Sequence, residues 1–178
     1  MRPLRTLLIF SLLTLAAVPA FADCIITGQI TATEADEGAP GAWCYTLVVD
    51  WDTGTVHALS HLDLIVDLPG GTCLCSDFAQ NIIFAEPGGS SDGYPDGCTV
   101  EYDAYLECNG DPSIPGIEGI LFKWEPIEDM GCEPGPTGQG TFVFYSDLDP
   151  VPVDEELPLV VQKASGDYCE GSIGGVFP

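Results

Sequence analysis

The sequence predicts an all-β fold, an antiparallel β-sandwich of about nine strands stapled by disulfides, and three observations predict it. Apolar residues alternate with period two in almost every hydrophobic segment beyond Ala22. No stretch of that region carries a 3.6-residue period, and clusters of Gly, Pro, Asp and Ser separate the segments. A closed barrel fits the same pattern and stands as the second architecture.

The chain opens with an export signal at residues 1–22. Arg2 and Arg5 precede an apolar run from Leu7 to Val18, and Ala20-Phe21-Ala22 supplies the small residues of a cleavage site. The run is short for a membrane span, which takes about 20 residues. Cleavage before Asp23 leaves one domain, residues 23–178, without a transmembrane segment. The signal places that domain in the medium or at the cell surface, in bacterial terms extracellular or periplasmic.

The strands follow in order. Ile25 to Thr33 is the first. In the second, Trp43, Tyr45, Leu47, Val49 and Trp51 share one face, with Cys44, Thr46, Val48 and Asp50 on the other. The turn Trp51-Asp52-Thr53-Gly54 is a hairpin signal, expected to fold this strand onto the next, Thr55 to Leu68. Gln80 to Ala85 is a short strand before a turn-rich stretch, Glu86 to Gly97. A further strand sets Val100, Tyr102, Ala104, Leu106 and Cys108 against Glu101, Asp103, Tyr105 and Glu107, one face dry and one wet. Gly119 to Trp124, Gly140 to Ser146, Pro158 to Ala164 and Tyr168 to Ile173 complete the set, with Cys132 to Gly140 read as loop.

Eight cysteines, Cys24, Cys44, Cys73, Cys75, Cys98, Cys108, Cys132 and Cys169, all lie beyond the signal. An even number in an exported chain predicts disulfides, although sequence does not choose the connectivity. Cys73 and Cys75 are expected to reach different, distant partners. No paired CxxC spacing favours zinc for these thiols.

The formal charge is −24. Once the signal's arginines are removed, Lys123 and Lys163 are the only strong bases against 28 carboxylates. Two lysines build no basic patch, which excludes nucleic-acid binding and adhesion to anionic membranes. The acidity itself is open between a solvated surface, adaptation to salt and divalent-cation sites.

The two histidines, His57 and His61, are spaced His-x-x-x-His. On a helix they would sit one turn apart and share a metal. The alternation of Thr55 to Leu68 instead places them on a strand, roughly 13 Å apart, too far to hold one ion. Ser60 adjoins His61, but adjacent strand residues point to opposite faces and form no nucleophile–base pair. Ser60 and His61 are therefore read as structural, and no catalytic residue is assigned. Carboxylates are so abundant that a pair at glycosidase spacing carries no discrimination. Calcium is the ion best suited to the acidic loops: Asp92 and Asp96, Asp50 and Asp52, and Asp147 and Asp149 are the candidate ligands, none in an EF-hand pattern. Trp43, Trp51 and Trp124 would stack on sugars if exposed, but their alternation among Leu, Val and Phe assigns them to the core.

Four pieces, "CYTLVVDWDTGTVHALSHLDL", "GIEGILFKW", "GTFVFYSDL" and "PLVVQKASGDYCEGSIGG", in this order from Cys44 to Gly175, resemble a family of exported bacterial surface-protein β-sandwich domains with an "ALSH" element. The resemblance implies an extracellular, non-catalytic module. It gives Ala58, Leu59, Ser60 and His61 a structural role at a strand end or inter-sheet contact. The chain departs from the pattern in its cysteine richness and in the missing C-terminal anchor. The expected function is a secreted or surface-displayed structural or interaction module, not an enzyme and without a cofactor, with an extracellular protein or glycan as partner. A calcium-dependent carbohydrate-binding module and a small extracellular hydrolase centred on His61 are the alternatives.

Overall fold

The computed structural model describes residues 24–54, 56–67, 73–95, 97–127, 131–153, 157–163 and 166–178, without the side chains of 159–163. The expected export signal and Asp96 lie outside the described residues. The elements in chain order are β1 (Ile25–Glu34), β2 (Trp43–Asp52), β3 (Leu59–Asp67), α1 (Cys75–Asn81), β4 (Ile82–Tyr94), β5 (Thr99–Glu107) and β6 (Ile120–Pro126). They continue with β7 (Glu133–Pro134), β8 (Thr137–Ser146), β9 (Val151–Pro152), β10 (Leu157–Lys163) and β11 (Tyr168–Phe177).

The β-rich content is as the alternation predicts, and the topology is more specific. One curled sheet runs β1-β2-β8-β4-β5-β6-β3-β10-β11, and β11 then pairs with β1, so the ladder closes on itself. Every pairing is antiparallel except this last one, which makes the sheet mixed and corrects the expectation of wholly antiparallel pairing. The cause is visible at the cysteines. Cys24 immediately precedes β1, Cys169 lies at the start of β11, and their disulfide joins the two strand starts at one end. Strands that start together run parallel, and the rest of the domain is their crossover. The seam is tight: a Cβ on Gly175, whose φ is +125°, would collide with the Ile30 carbonyl.

Three local expectations change. The Asp52–Gly54 turn forms, with Gly54 N–H donating to Asp52 Oδ1 at 2.8 Å, yet β2 pairs with β1 and β8 while β3 pairs with β6 and β10. The turn redirects the chain instead of closing a hairpin. The Gly-rich stretch read as loop after Ala85 belongs to β4, with a register shift between Phe84 and Gly89. Gly88 and Gly89 are there for close approach, since a Cβ on Gly89 would stand 2.5 Å from the Phe142 ring. Finally, one seven-residue helix, α1, interrupts the strands, and Cys75 opens it.

The inward faces meet in an aromatic core. Tyr45, Leu47 and Val49 from β2, Leu62 and Leu64 from β3, Tyr102 from β5, Phe122 and Trp124 from β6, and Phe142 and Phe144 from β8 are all fully buried. Phe122 meets Phe144 edge-on at 5.3 Å, and Trp124 lies 5.5 Å from Phe142. A second, smaller cluster of Ile65, Ile114 and Leu121 is separate from this core. It marks where the β5–β6 connection folds back over the sheet.

Among the described residues, no helix is long and apolar enough to cross a membrane.

Candidate functional site

Strand alternation builds the site. On β3, Leu62 and Leu64 join the aromatic core, which turns His61, Asp63 and Ile65 to the opposite face. On β6, Phe122 and Trp124 point inward, so Leu121 and Lys123 share that opposite face, with Lys123 in register with Asp63 and Leu121 with Ile65. Segment 108–119 covers them. It is drawn into a compact loop by Gly110 N–H to the Gly119 carbonyl (2.8 Å), Asp111 N–H to the Ile117 carbonyl (3.2 Å) and Ile114 N–H to the Asp111 carbonyl (3.1 Å). Gly110 is required at the loop's neck: its φ is +73°, and a Cβ would strike the Ile117 carbonyl. The Cys75–Cys108 disulfide ties the start of the segment to α1.

The covered face is polar where the loop reaches β3. Asp111 Oδ1 accepts hydrogen bonds from the Ser113 backbone N–H (2.7 Å) and hydroxyl (2.6 Å). Its Oδ2 accepts from Lys123 Nζ (2.9 Å) and lies 2.7 Å from His61 Nε2. Lys123 also reaches Glu125 at 3.1 Å, and His61 Nε2 stands 3.6 Å from Asp63 Oδ2. His61, Asp63, Asp111 and Lys123 are all buried, Asp63 completely.

These surroundings divide the two carboxyls. Burial pushes Asp63 up from 3.8 to about 6, an effect the nearby His61 reduces and the Asp111 charge reinforces. Burial also opposes ionisation of Asp111, but the Ser113 and Lys123 hydrogen bonds outweigh it and hold the carboxyl well below its usual range. Burial works against the Lys123 charge too, and its bonds to Asp111 and Glu125 still raise it above the ordinary lysine value.

The residues singled out from sequence are dispersed. His61 is in the cluster, whereas His57 is exposed in the segment before β3 and Ser60 is half-buried outside the cluster. The calcium candidates have local roles. Asp50 Oδ1 accepts from Gln139 Nε2 (2.7 Å), Asp52 Oδ1 from Gly54, Asp147 Oδ1 from Ala42 N–H (2.9 Å), and Asp149 Oδ1 from Trp43 Nε1 (3.0 Å). Asp92 is exposed on β4. Among the described residues, the one set of at least three His, Cys, Asp or Glu side chains with ligand atoms within 4.8 Å of one another is His61, Asp63 and Asp111.

Six cysteines pair, as Cys24–Cys169, Cys75–Cys108 and Cys98–Cys132, which fits an oxidising compartment. Cys44 and Cys73 remain thiols, unlike the full pairing expected. Cys44 sits within β2 opposite Thr33 and Tyr145, neither a cysteine, and Cys73 is exposed just before α1. Trp51 and Trp124 are core residues, and their indole N–H groups donate to the carbonyls of Gly135 and Gly88.

Asp63 and Asp111 were missed from sequence. A signal for the first existed: His61-Leu62-Asp63 on a strand puts both polar groups on one face around a core leucine. Nothing local marks Asp111, which meets them only through the folding of its loop. In comparisons with known proteins, the chain matches no family model, no curated protein and no solved structure.

Proposed function

We propose that the chain is a secreted or surface-displayed, non-catalytic structural or interaction module. The observation that carries this reading is the burial of the His61, Asp63, Asp111 and Lys123 cluster beneath segment 108–119. There Asp111 of the loop meets Lys123 and His61 of the sheet beside the buried Asp63, a contact that fastens loop to sheet, whereas a catalytic base must be within reach of a substrate proton. The aromatic contacts between β6 and β8, strands that are not neighbours in the ladder, support a sandwich-like packing of the curled sheet's two sides. The export signal and three disulfides support an extracytoplasmic location, and the acidic surface suits an extracellular protein or glycan partner more than a polyanion.

The test compares the wild-type chain with His61→Ala in thermal melting and in ester and glycoside hydrolysis. The proposal expects a lower melting temperature and no turnover by either protein. Turnover by the wild type that disappears in His61→Ala at an unchanged melting temperature would overturn it in favour of a hydrolase.

A further inference from the structure

Asp63 is completely buried, yet among the described residues neither of its carboxylate oxygens has a hydrogen-bond partner. The same holds for His61 Nε2, which stands 2.7 Å from Asp111 Oδ2 without a hydrogen bond to it. A buried carboxylate without donors is costly, and native structures rarely keep one without a reason. Lys123, the one strong base near it among the described side chains, does not supply it. Lys123 Nζ is committed to Asp111 and to Glu125, the latter at the solvent side with 46 % of its side chain exposed. Three acceptor groups from two segments far apart in sequence thus converge on one buried point.

We infer that His61, Asp63 and Asp111 form a binding site for one divalent first-row transition-metal ion of the zinc class, which ties β3 to segment 108–119. The spacing suits this. Nitrogen and oxygen ligands about 2.0–2.1 Å from a common ion stand about 2.9–3.4 Å apart, from octahedral to tetrahedral arrangement. The observed separations from His61 Nε2, 2.7 Å to Asp111 and 3.6 Å to Asp63, fall just below and just above that interval, so small side-chain shifts bring all three groups to one ion. The ligand chemistry narrows the ion: an imidazole disfavours calcium and magnesium, which take oxygen, while zinc, cobalt and their neighbours accept the mixed set. Two positive charges between two buried carboxylates neutralise what one shared lysine leaves uncompensated. The imidazole binds as a neutral ligand through Nε2, and the ion enters as the loop closes during folding. The site goes beyond the module reading above and does not depend on it.

The test uses the full purified chain after dialysis against a chelator. Zinc is titrated by calorimetry, and cobalt is added separately for its visible absorption. The site predicts one ion per chain, a melting temperature that climbs with the logarithm of free zinc, and cobalt bands of low coordination number. Affinity should fall about a hundredfold or more in His61→Ala and in Asp63→Asn. Since His61→Ala also removes packing, the shape-preserving Asp63→Asn and the wild-type cobalt spectrum decide the outcome. Zinc binding that does not saturate at one equivalent, or an affinity unchanged in Asp63→Asn, overturns the site. So does an Asp63→Asn chain that melts above the wild type in the presence of zinc, the result expected if Lys123 is the only cation the cluster needs.

Discussion

Ile114→Ala probes how the loop over the site is held. The Ile114 side chain is 1 % exposed and packs with Ile65, Leu121 and the partly buried Ile117, apart from the main core. The substitution removes three carbons, which at about 0.8 kcal/mol per buried methylene is about 2.4 kcal/mol of transfer free energy. A cavity contribution adds to this, but one wall of the cluster is a loop that can settle inward, so the total should be about 3 kcal/mol, low in the usual range. Denaturant unfolding should show a reduced midpoint with an unchanged slope. Val56→Ala, at a side chain 87 % exposed, is the control and should lie within about 0.5 kcal/mol of the wild type. An Ile114→Ala loss no larger than the control's would refute the claim that this small apolar cluster seats segment 108–119.

Replacing Cys24 and Cys169 together by Ser opens a loop with a sequence separation of 145 and should cost about 5 kcal/mol on the chain-entropy estimate, read by denaturant unfolding. Its amide exchange should quicken first along the β1–β11 seam. Tyr102 is buried with its hydroxyl 2.9 Å from Ser91 Oγ, and burial pushes its phenol from 10.0 to about 12. The unfolded chain therefore ionises first, so stability falls as pH rises from 10 toward 12, by up to about 1.4 kcal/mol per pH unit. Tyr102→Phe should lose about 1 kcal/mol near neutrality, for the hydrogen bond, and show a shallower alkaline decline. Alkylation of the denatured, unreduced protein followed by mass spectrometry should label Cys44 and Cys73 alone; a fully blocked chain would mean that the two thiols are joined.

The strand content was legible because burial in a half-wet sheet imposes period two: Tyr45, Leu47, Val49 and Trp51 are all buried, as their spacing requires. The partners of each strand were not. Turn chemistry at Asp52–Gly54 is the same whether the next strand pairs back or is carried away, and here β8 takes the place a hairpin would give β3. The glycines of β4 misled for a related reason, since Gly88 and Gly89 serve close packing against Ala104 and Phe142, not chain reversal. For the site, the spacing of His57 and His61 pointed to a metal and strand alternation to a separation along one strand; β3 begins only at Leu59, so His57 stands exposed before the strand while His61 is buried within it. Asp63 stands two residues from His61 on the same face, whereas calcium chemistry points to acidic loops. Acidic loop residues are abundant in this chain; a fully buried aspartate facing a buried histidine becomes visible only after folding.

Residue-resolved hydrogen exchange tests the loop's attachment most directly. In the wild-type chain the amides of Asp111, Ile114 and Ile117, each bonded within the loop, should be protected. In Asp111→Ala, which removes the groups facing His61, Lys123 and Ser113, they should exchange freely while the amides of Leu47 and Phe142 in the sheet stay protected. Free exchange of the three loop amides in the wild type would contradict the account, as would loop and sheet losing protection together in the variant.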